Sequence, residues 1–513
     1  MIILPTRRHR AKAWLLIAMF LALGLVLTVH RNGPDHLGQL SGALGGTLSS
    51  IGAHGRSPPS DAMLCFWREL WDALVDARPN TVETVHLIDN LTDHDMEPDL
   101  DVEPDPDRRR VDMTHLSDNL RRELHVAHAR FFKAARELGT RLPFEGGQTE
   151  KEGAQPIETP SSPPSRGIVM TAGGAYVGIA VTSLLMLRRS GSQLPVQIFL
   201  DTDADYDEAL CEDVLPRLGA RCRVMQRFWE ATPHMTPLSR FQFKVFAILL
   251  SSFRQVLFLD ADCWPVRSPD GLFDAEPFVG RGLVTWPDFW LSTASPALYG
   301  ADGILAIAEP PLTARRSSES GILLYDKARQ ATSLLLAAYY NVYGPDYYYP
   351  LLSQGAVGQG DKETFLHGAL VAGAPFYDVR TPIGILGRWV NGTYMAAAMR
   401  QADPAEDYAL VRQAAHNNTP VKARPLFVHH NLVKIDIRQL GRSMERVYAV
   451  DATQGLTRLW HVDADFLDGA GYDVEKALWA EVLQALCNRQ QEPPATPSRE
   501  CTDLQRYYLR VFG

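Results

Sequence analysis

From Arg166 onward the chain alternates short apolar runs with longer helical stretches, and this rhythm limits its fold more than any other feature. "GIVMT" reads as a buried strand, "AYVGIAVTSLLMLRRS" as a helix and "VQIFLD" as a second strand. A helix around "DEALCEDVLPRL", a strand at "RCRVM", a helix at "FQFKVFAILLSSF" and the strand "QVLFLD" continue the series. Runs that are apolar at nearly every position belong to strands covered on both faces, so the expected fold is α/β with a mainly parallel sheet between helices. Ligands of such sheets bind beyond the carboxyl ends of the strands.

Two aspartates, Asp260 and Asp262, emerge at one of those ends. Asp-x-Asp occurs eight times in the chain, so the tripeptide by itself says little and context selects among the copies. Most copies lie in polar stretches, where a charged loop explains them. Asp201-Thr202-Asp203 also follows a buried strand, but it runs through Asp205 and Asp207 into a helix start, where acidic groups cap free amides and complement the helix dipole. Asp260-Ala261-Asp262 precedes Cys263-Trp264-Pro265, which does not open a helix readily because proline disfavours helical geometry in the residue before it. Its carboxylates therefore have no helix terminus to serve. Held this close, they repel unless a proton or cation lies between them. Hard divalent ions such as Mn²⁺ or Mg²⁺ take oxygen ligands and share their other positions with water and phosphate. Such an ion offsets the charge that develops on a departing diphosphate.

The segments "GIVMTAGG", "FKVFAILLSSFRQVLFLDADCWPVRSPDGLF", "TWPDFW", "ESGILLYDK", "GPDYYYPLLSQGAVGQGDKETF" and "FVHHNLVK" occur in an order that resembles the fungal Golgi α-mannosyltransferases of cell-wall mannan, over roughly residues 166 to 435. The resemblance implies a GT-A, Rossmann-like nucleotide-diphospho-sugar fold, GDP-mannose as donor, Mn²⁺ as cofactor, a mannose-terminated glycan as acceptor and retention at the anomeric carbon. It also favours α1,2 over α1,3 linkage. On the matching positions it implies Asp262 as metal ligand, Asp260 bridging metal and ribose, and a third ligand at His429, with His430 an equal chemical candidate. Thr171, Ala172, Gly173 and Gly174 end the first strand, where small residues admit a nucleotide; a tight turn is the bland alternative, and position with the resemblance favours nucleotide contact. Lys244 either snorkels to solvent or reaches the diphosphate, Arg240 is a weaker candidate for the same contact, and Lys434 is either a phosphate contact or a surface lysine. Asp361 and Glu319 are the expected catalytic carboxylates. Helix capping also accounts for Asp361, with Glu363 as a helper in the first turn. Trp286, Asp288 and Trp290 are expected to shape the acceptor site, although aromatic residues this dense, like Tyr347 to Tyr349, usually form core.

The N-terminus bears on the compartment. Arg7, Arg8, Arg10 and Lys12 precede an uncharged apolar run from Ala13 to Val29. At about 1.5 Å per residue, such a run makes roughly 26 Å of helix, enough to span a thin bilayer. The basic flank before it orients the chain with residues 1–12 cytoplasmic, a signal anchor over 13–29 and everything beyond luminal, a single-pass type II arrangement suited to the Golgi membrane. A cleaved signal peptide is the rival. Residues 30–165 are expected to form a luminal stem with two helices, over 61–76 and around Leu116 to Leu138, and a Pro/Gly/Ser linker at 145–166; the catalytic domain is expected over 166–513. The two apolar stripes either pack on that domain or pair subunits.

Luminal exposure makes glycosylation triplets of Asn90, Asn391 and Asn417-Asn418-Thr419, and lets disulfides persist among six cysteines, with Cys211–Cys222 and Cys487–Cys501 the local pairings. A net charge of −9 excludes an ordinary nucleic-acid binder, and Arg108 to Arg110 beside "DLDVEPDPD" read as a solvated, self-compensating stretch. Two other classes compete with a transferase. One is a glycoside hydrolase, which needs a pair of carboxylates and no diphosphate. The other is a non-catalytic subunit or lectin on the same fold.

Overall fold

The computed structural model describes residues 59–88, 104, 105, 107, 110–144, 166–233, 235, 238–417, 422–440, 449–453, 455–461, 463–487 and 499–513. The expected tail and anchor, the linker up to residue 165, the Asn90 triplet, and Arg108 with Arg109 lie outside them. Among the described residues no helix is long and apolar enough to cross a membrane.

The alternating segments form β1 (Arg166–Thr171), α3 (Val177–Arg189), β2 (Val196–Leu200), β3 (Ala220–Val224), α4 (Gln242–Leu250) and β4 (Gln255–Leu259), preceded by α1 (Asp61–Asp76) and α2 (Asp118–Gly139). Beyond them come β5 (Cys263–Pro265), β6 (Leu283–Leu291), β7 (Arg316–Asp326), α5 (Ala331–Val342), α6 (Thr364–Ala372) and β8 (Tyr377–Asp378). The large sheet has seven strands in the order β8-β6-β7-β4-β1-β2-β3. Its strands are parallel except for β7, which runs antiparallel to both β4 and β6. The sheet is therefore mixed, a finer point than the expected mainly parallel one.

Both faces of this sheet are buried, which is why its strands lack polar alternation. Ile168 and Met170 of β1 face one core with Ile198, Leu257 and Leu259, while Val169 faces a second core with Phe199, Val256 and Phe258.

α1 and α2 lie inside the second core, so of the two expected uses of their apolar stripes it is packing on the main domain that they take. Met63, Trp67 and Leu70 of α1, and Leu120, Leu124 and Phe131 of α2, are buried in the same cluster as α4, α5 and α6. Hydrogen bonds lock the arrangement: Trp67 Nε1 donates to Thr232 Oγ1 (3.1 Å), and the Tyr343 hydroxyl donates to the Leu74 carbonyl (2.7 Å). Their apolar stripes are consumed within the chain, so they are not the subunit-pairing surface. The expectation for Arg110 is corrected. Its side chain is buried, ion-paired with Glu309 (3.1 Å), hydrogen-bonded to the Pro310 carbonyl (2.9 Å) and placed over the Tyr299 ring. A planar cation with these partners can leave water at little cost.

A smaller antiparallel sheet decides the site. It contains β9 (Gly384–Val390), β10 (Thr393–Ala402), β11 (Pro425–His429) and β5, in the order β9-β10-β11-β5. Asn391 and Gly392, both at positive φ (51° and 77°), make the two-residue turn joining β9 to β10 and leave Asn391 exposed. After α7 (Pro404–Asn417), the chain ends in α8 (Ala464–Ala470), α9 (Val474–Cys487) and α10 (Arg499–Phe512), which extend the first core. Both expected local disulfides are present, Cys211–Cys222 and Cys487–Cys501, while Cys65 and Cys263 are free thiols.

Glu475 of α9 is fully buried and accepts the backbone N–H of Leu459 (2.6 Å), and burial pushes its carboxyl up to about 7. An unfolded chain would titrate this group near about 4.3. The folded state therefore holds the proton more tightly, so this contribution to stability is full below that pH and is lost as pH rises towards 7. At about 1.4 kcal/mol per pH unit the loss reaches ~3 kcal/mol. Urea unfolding at pH 5 and pH 8 is expected to show this loss in the wild type and a smaller one in Glu475→Gln, which keeps the acceptor oxygen. Equal losses in the two proteins would refute the assignment.

Candidate active site

The site forms where the chain leaves the large sheet for the small one. β4 ends at Leu259, Asp260-Ala261-Asp262 makes the crossing, and Cys263 already belongs to β5. Three contacts fix the crossing peptide. Asp260 N–H donates to the Gly321 carbonyl (2.8 Å), Cys263 N–H donates to the Asp260 carbonyl (2.9 Å), and Ser183 Oγ of α3 donates to the Ala261 carbonyl (2.5 Å). Cys263-Trp264-Pro265 indeed does not start a helix; it pairs with β11, setting Cys263 opposite His429.

That register brings His429 to the aspartates. One ligand atom each from Asp260, Asp262 and His429 lie within 4.8 Å of one another. His429 Nε2 is 3.1 Å from Asp262 Oδ1 and 3.9 Å from Asp260 Oδ2. Two carboxylate oxygens and an imidazole nitrogen are a donor set that suits a borderline-hard divalent ion, Mn²⁺ among them. His430 is corrected as a ligand: its Nδ1 donates to the Val433 carbonyl (2.8 Å) and its ring stacks on Trp264. Burial holds it down to about 4, a neutral structural histidine.

β7 supplies the back of the site because, running antiparallel beside β4, it starts where β4 ends. Glu319 Oε2 stands 3.5 Å from His429 Nδ1, and Glu319 Oε1 accepts the Gly321 N–H (2.6 Å). Burial alone would push Glu319 up, but His429, Lys244 and the Gly321 amide hold it below the usual range. Burial would likewise lower His429, and the Glu319 and Asp260 carboxylates outweigh it. Carboxylate, imidazole and metal position thus fall in series, the arrangement that orients a ligating histidine through its other nitrogen. Glu319 thus stands behind His429, on the side of the ring away from the two aspartates. Glycine is required at 321, since a Cβ there would lie 2.5 Å from His429 Cε1.

Lys244 does not snorkel to solvent but turns inward. Its side chain is 7% exposed, and its ammonium donates to the Ser320 carbonyl (2.8 Å) and Oγ (3.0 Å) and stands 3.3 Å from both Asp260 and Asp361. All three of its donors are thus spent inside the protein. Burial opposes its charge, but Asp260, Asp361 and Glu319 together hold it charged, above its ordinary range. Asp361 is brought into the same network: its Oδ1 accepts from Ser320 Oγ (3.1 Å), and burial pushes its carboxyl up against the opposing pull of Lys244. Its side chain caps no helix. Thr364 N–H at the start of α6 bonds to the Asp361 carbonyl oxygen instead. Glu363 is likewise no cap; it accepts the Ser318 N–H (2.5 Å) and pairs with Arg315 (3.4 Å), which also binds Asp378 (2.6 Å).

The remaining expectations divide. Lys434 ion-pairs with Asp262, its side chain about a third exposed. Thr171 to Gly174 lie at the carboxyl end of β1, beside β4, where Gly174 (φ 51°) donates its N–H to Asp205 (2.9 Å) and Arg438 donates to the Gly174 carbonyl (2.9 Å). Arg240 stays exposed on the turn before α4, outside the cluster. Trp286 is corrected from acceptor contact to core: it is fully buried, its Nε1 donates to the Ala402 carbonyl (2.9 Å), and its ring meets Phe427 edge to face. Trp290 and Tyr347 to Tyr349 are buried as well. Asp288 reaches the rim through Lys362 (3.0 Å), the neighbour of Asp361. Sequence reasoning missed Ser320 and Gly321 as parts of the site, although both stand beside Glu319; their roles arise from the strand pairing alone.

Residues 165–309 and 312–404 match the family described as "Mannosyltransferase putative". Alpha-1,2-mannosyltransferase MNN24 of Candida albicans is 40% identical over 273 residues, 47% of this chain and 38% of that protein. Alpha-1,2-mannosyltransferase MNN21 of the same organism is 32% identical over 383 residues, covering 63% of this chain and 57% of that protein. Alpha-1,2-mannosyltransferase MNN2 of Saccharomyces cerevisiae is 33% identical over 274 residues, 47% and 46% of the two chains. The chain spans about half the length of these relatives.

Proposed function

We propose, from the match of residues 165–309 and 312–404 to this family and the likeness to α1,2-mannosyltransferases, that the protein transfers mannose from GDP-mannose to a mannose-terminated glycan, with retention and an α1,2 linkage, on a GT-A fold. The observation that carries this reading is the convergence of Asp260, Asp262 and His429 at the end of β4, with Lys434 against Asp262. A divalent cation bound there, Mn²⁺ in this reading, supplies positive charge towards the leaving diphosphate. Lys434 turns from Asp262 to a phosphate oxygen, and Glu319 keeps the His429 ring in place. Asp361, held by Lys244 and Ser320, faces the anomeric carbon and stabilises positive charge on the sugar ring. The bond from C1 to the phosphate oxygen breaks, the acceptor oxygen bonds to C1 from the same face, and the acceptor proton passes to the departing phosphate.

The site belongs, in the same reading, to a type II Golgi membrane protein with its catalytic domain in the lumen, which the basic flank and apolar run of residues 7–29 support. Against a glycosidase, Asp260 and Asp262 share His429 as a third potential ligand, an arrangement that suits a cation better than an acid and base pair.

The test incubates detergent-solubilised protein with a panel of sugar nucleotides and α-mannose oligomers, with Mn²⁺ or EDTA. The expected result is GDP release from GDP-mannose, with acceptor growth by one mannose, dependent on Mn²⁺. Trimming of the oligomer without donor would establish a hydrolase, and binding without turnover a lectin.

A further inference from the structure

Among the described residues three aromatic side chains are exposed: Tyr176 (49%), Phe241 (49%) and Trp389 (54%). Tyr176 follows β1 and Trp389 stands on the β9–β10 hairpin, whereas Phe241 lies against Gly360, the residue before Asp361. It lies at the start of α4, three residues before Lys244. A Cβ on Gly360 would be 3.0 Å from Phe241 Cδ2, so the ring rests against the residue that precedes Asp361. Arg240, just before it, holds φ at 51°, a left-handed conformation that non-glycine residues rarely adopt. The chain accepts that conformation on a turn that leaves an apolar ring half in water.

The contacts of the site run in a definite order. Lys434 touches Asp262, Asp262 and Asp260 share His429, Lys244 joins Asp260 to Asp361, and Gly360 joins Asp361 to Phe241. One end is built of charges that suit a metal-bound diphosphate, and the other ends on an aromatic face. A neutral sugar offers no charge to bind; it offers hydroxyls and an apolar C–H face, and an aromatic ring matches the latter. We propose that Phe241 is the stacking platform for the acceptor's terminal pyranose ring, on the side of Asp361 away from the diphosphate. The proposal rests on the transferase reading, and it moves the acceptor subsite from the buried Trp286 to the start of α4.

Two measurements test it. In steady-state kinetics with GDP-mannose, Phe241→Ala is expected to raise KM for α-mannobiose about tenfold, the scale of one lost aromatic contact, while KM for donor and acceptor-free GDP release stay as in the wild type. Phe241→Tyr and Phe241→Trp, which keep the ring, retain the wild-type acceptor KM. An unchanged acceptor KM in Phe241→Ala, an equal rise in donor KM, or a rise in the ring-keeping variants overturns the proposal. Saturation-transfer NMR with α-mannobiose and no donor is expected to lose its signal in Phe241→Ala, and a signal kept there counts against the platform. Because this readout needs no turnover, it separates the two failures. A wild type that transfers nothing but binds mannobiose through Phe241 sinks the transferase reading and leaves the platform standing.

Discussion

Asp262→Ala is expected to lower mannosyl transfer by roughly 10³-fold or more, the several kcal/mol that a metal contributes to a developing diphosphate charge. The loss of binding should accompany the loss of rate, so that calorimetric titration with Mn²⁺ and GDP shows no saturable heat in the variant. Folding should survive. Asp262 repels its neighbour Asp260, and its cationic partner Lys434 is about a third exposed and can turn to water, so removing the carboxylate leaves no trapped charge. A variant that keeps its turnover would remove the metal assignment, and one that fails to fold by circular dichroism would show that the carboxylate serves structure instead.

Asp361→Asn is expected to cut kcat about 10²-fold or more in a protein that still folds, because in the proposed reaction the carboxylate's charge acts at the sugar ring. The amide keeps an acceptor for Ser320, and the backbone carbonyl that receives Thr364 N–H is untouched, so α6 starts as before. Lys244 keeps Asp260 and Ser320 as partners, which limits the stability cost to about 1–3 kcal/mol. Unchanged kcat in a folded variant would return Asp361 to a structural role.

Much of the framework was legible before any coordinates. The strands β1, β2 and β4 announce themselves because a strand buried on both faces cannot hide its apolar run, and the aspartates stand out because nothing local employs them. Cys211 with Cys222 was a guess from nearness among fifteen possible full pairings, and the structure bears it out. Local patterns failed where partners come from afar. Trp286 and Trp290 read as acceptor contacts because exposure is not written in a tripeptide. The apolar stripes of α1 and α2 left open whether they pack on the sheet domain or pair subunits, and only the fold shows their tryptophans and leucines meeting α5 and Thr232.

The division has a physical cause. Periodicity, strand ends and proline geometry act over a few residues, so the sequence alone determined the α/β rhythm and the placing of Asp260 and Asp262 at a strand's carboxyl end. The antiparallel pairing of β7 with β4 and the pairing of β5 with β11 join residues 63 to 166 positions apart, and no local signal carries such a register. Only the tertiary structure chose His429 over His430, set Glu319 behind it, turned Lys244 inward to bridge two carboxylates, and left Phe241 facing solvent beside them.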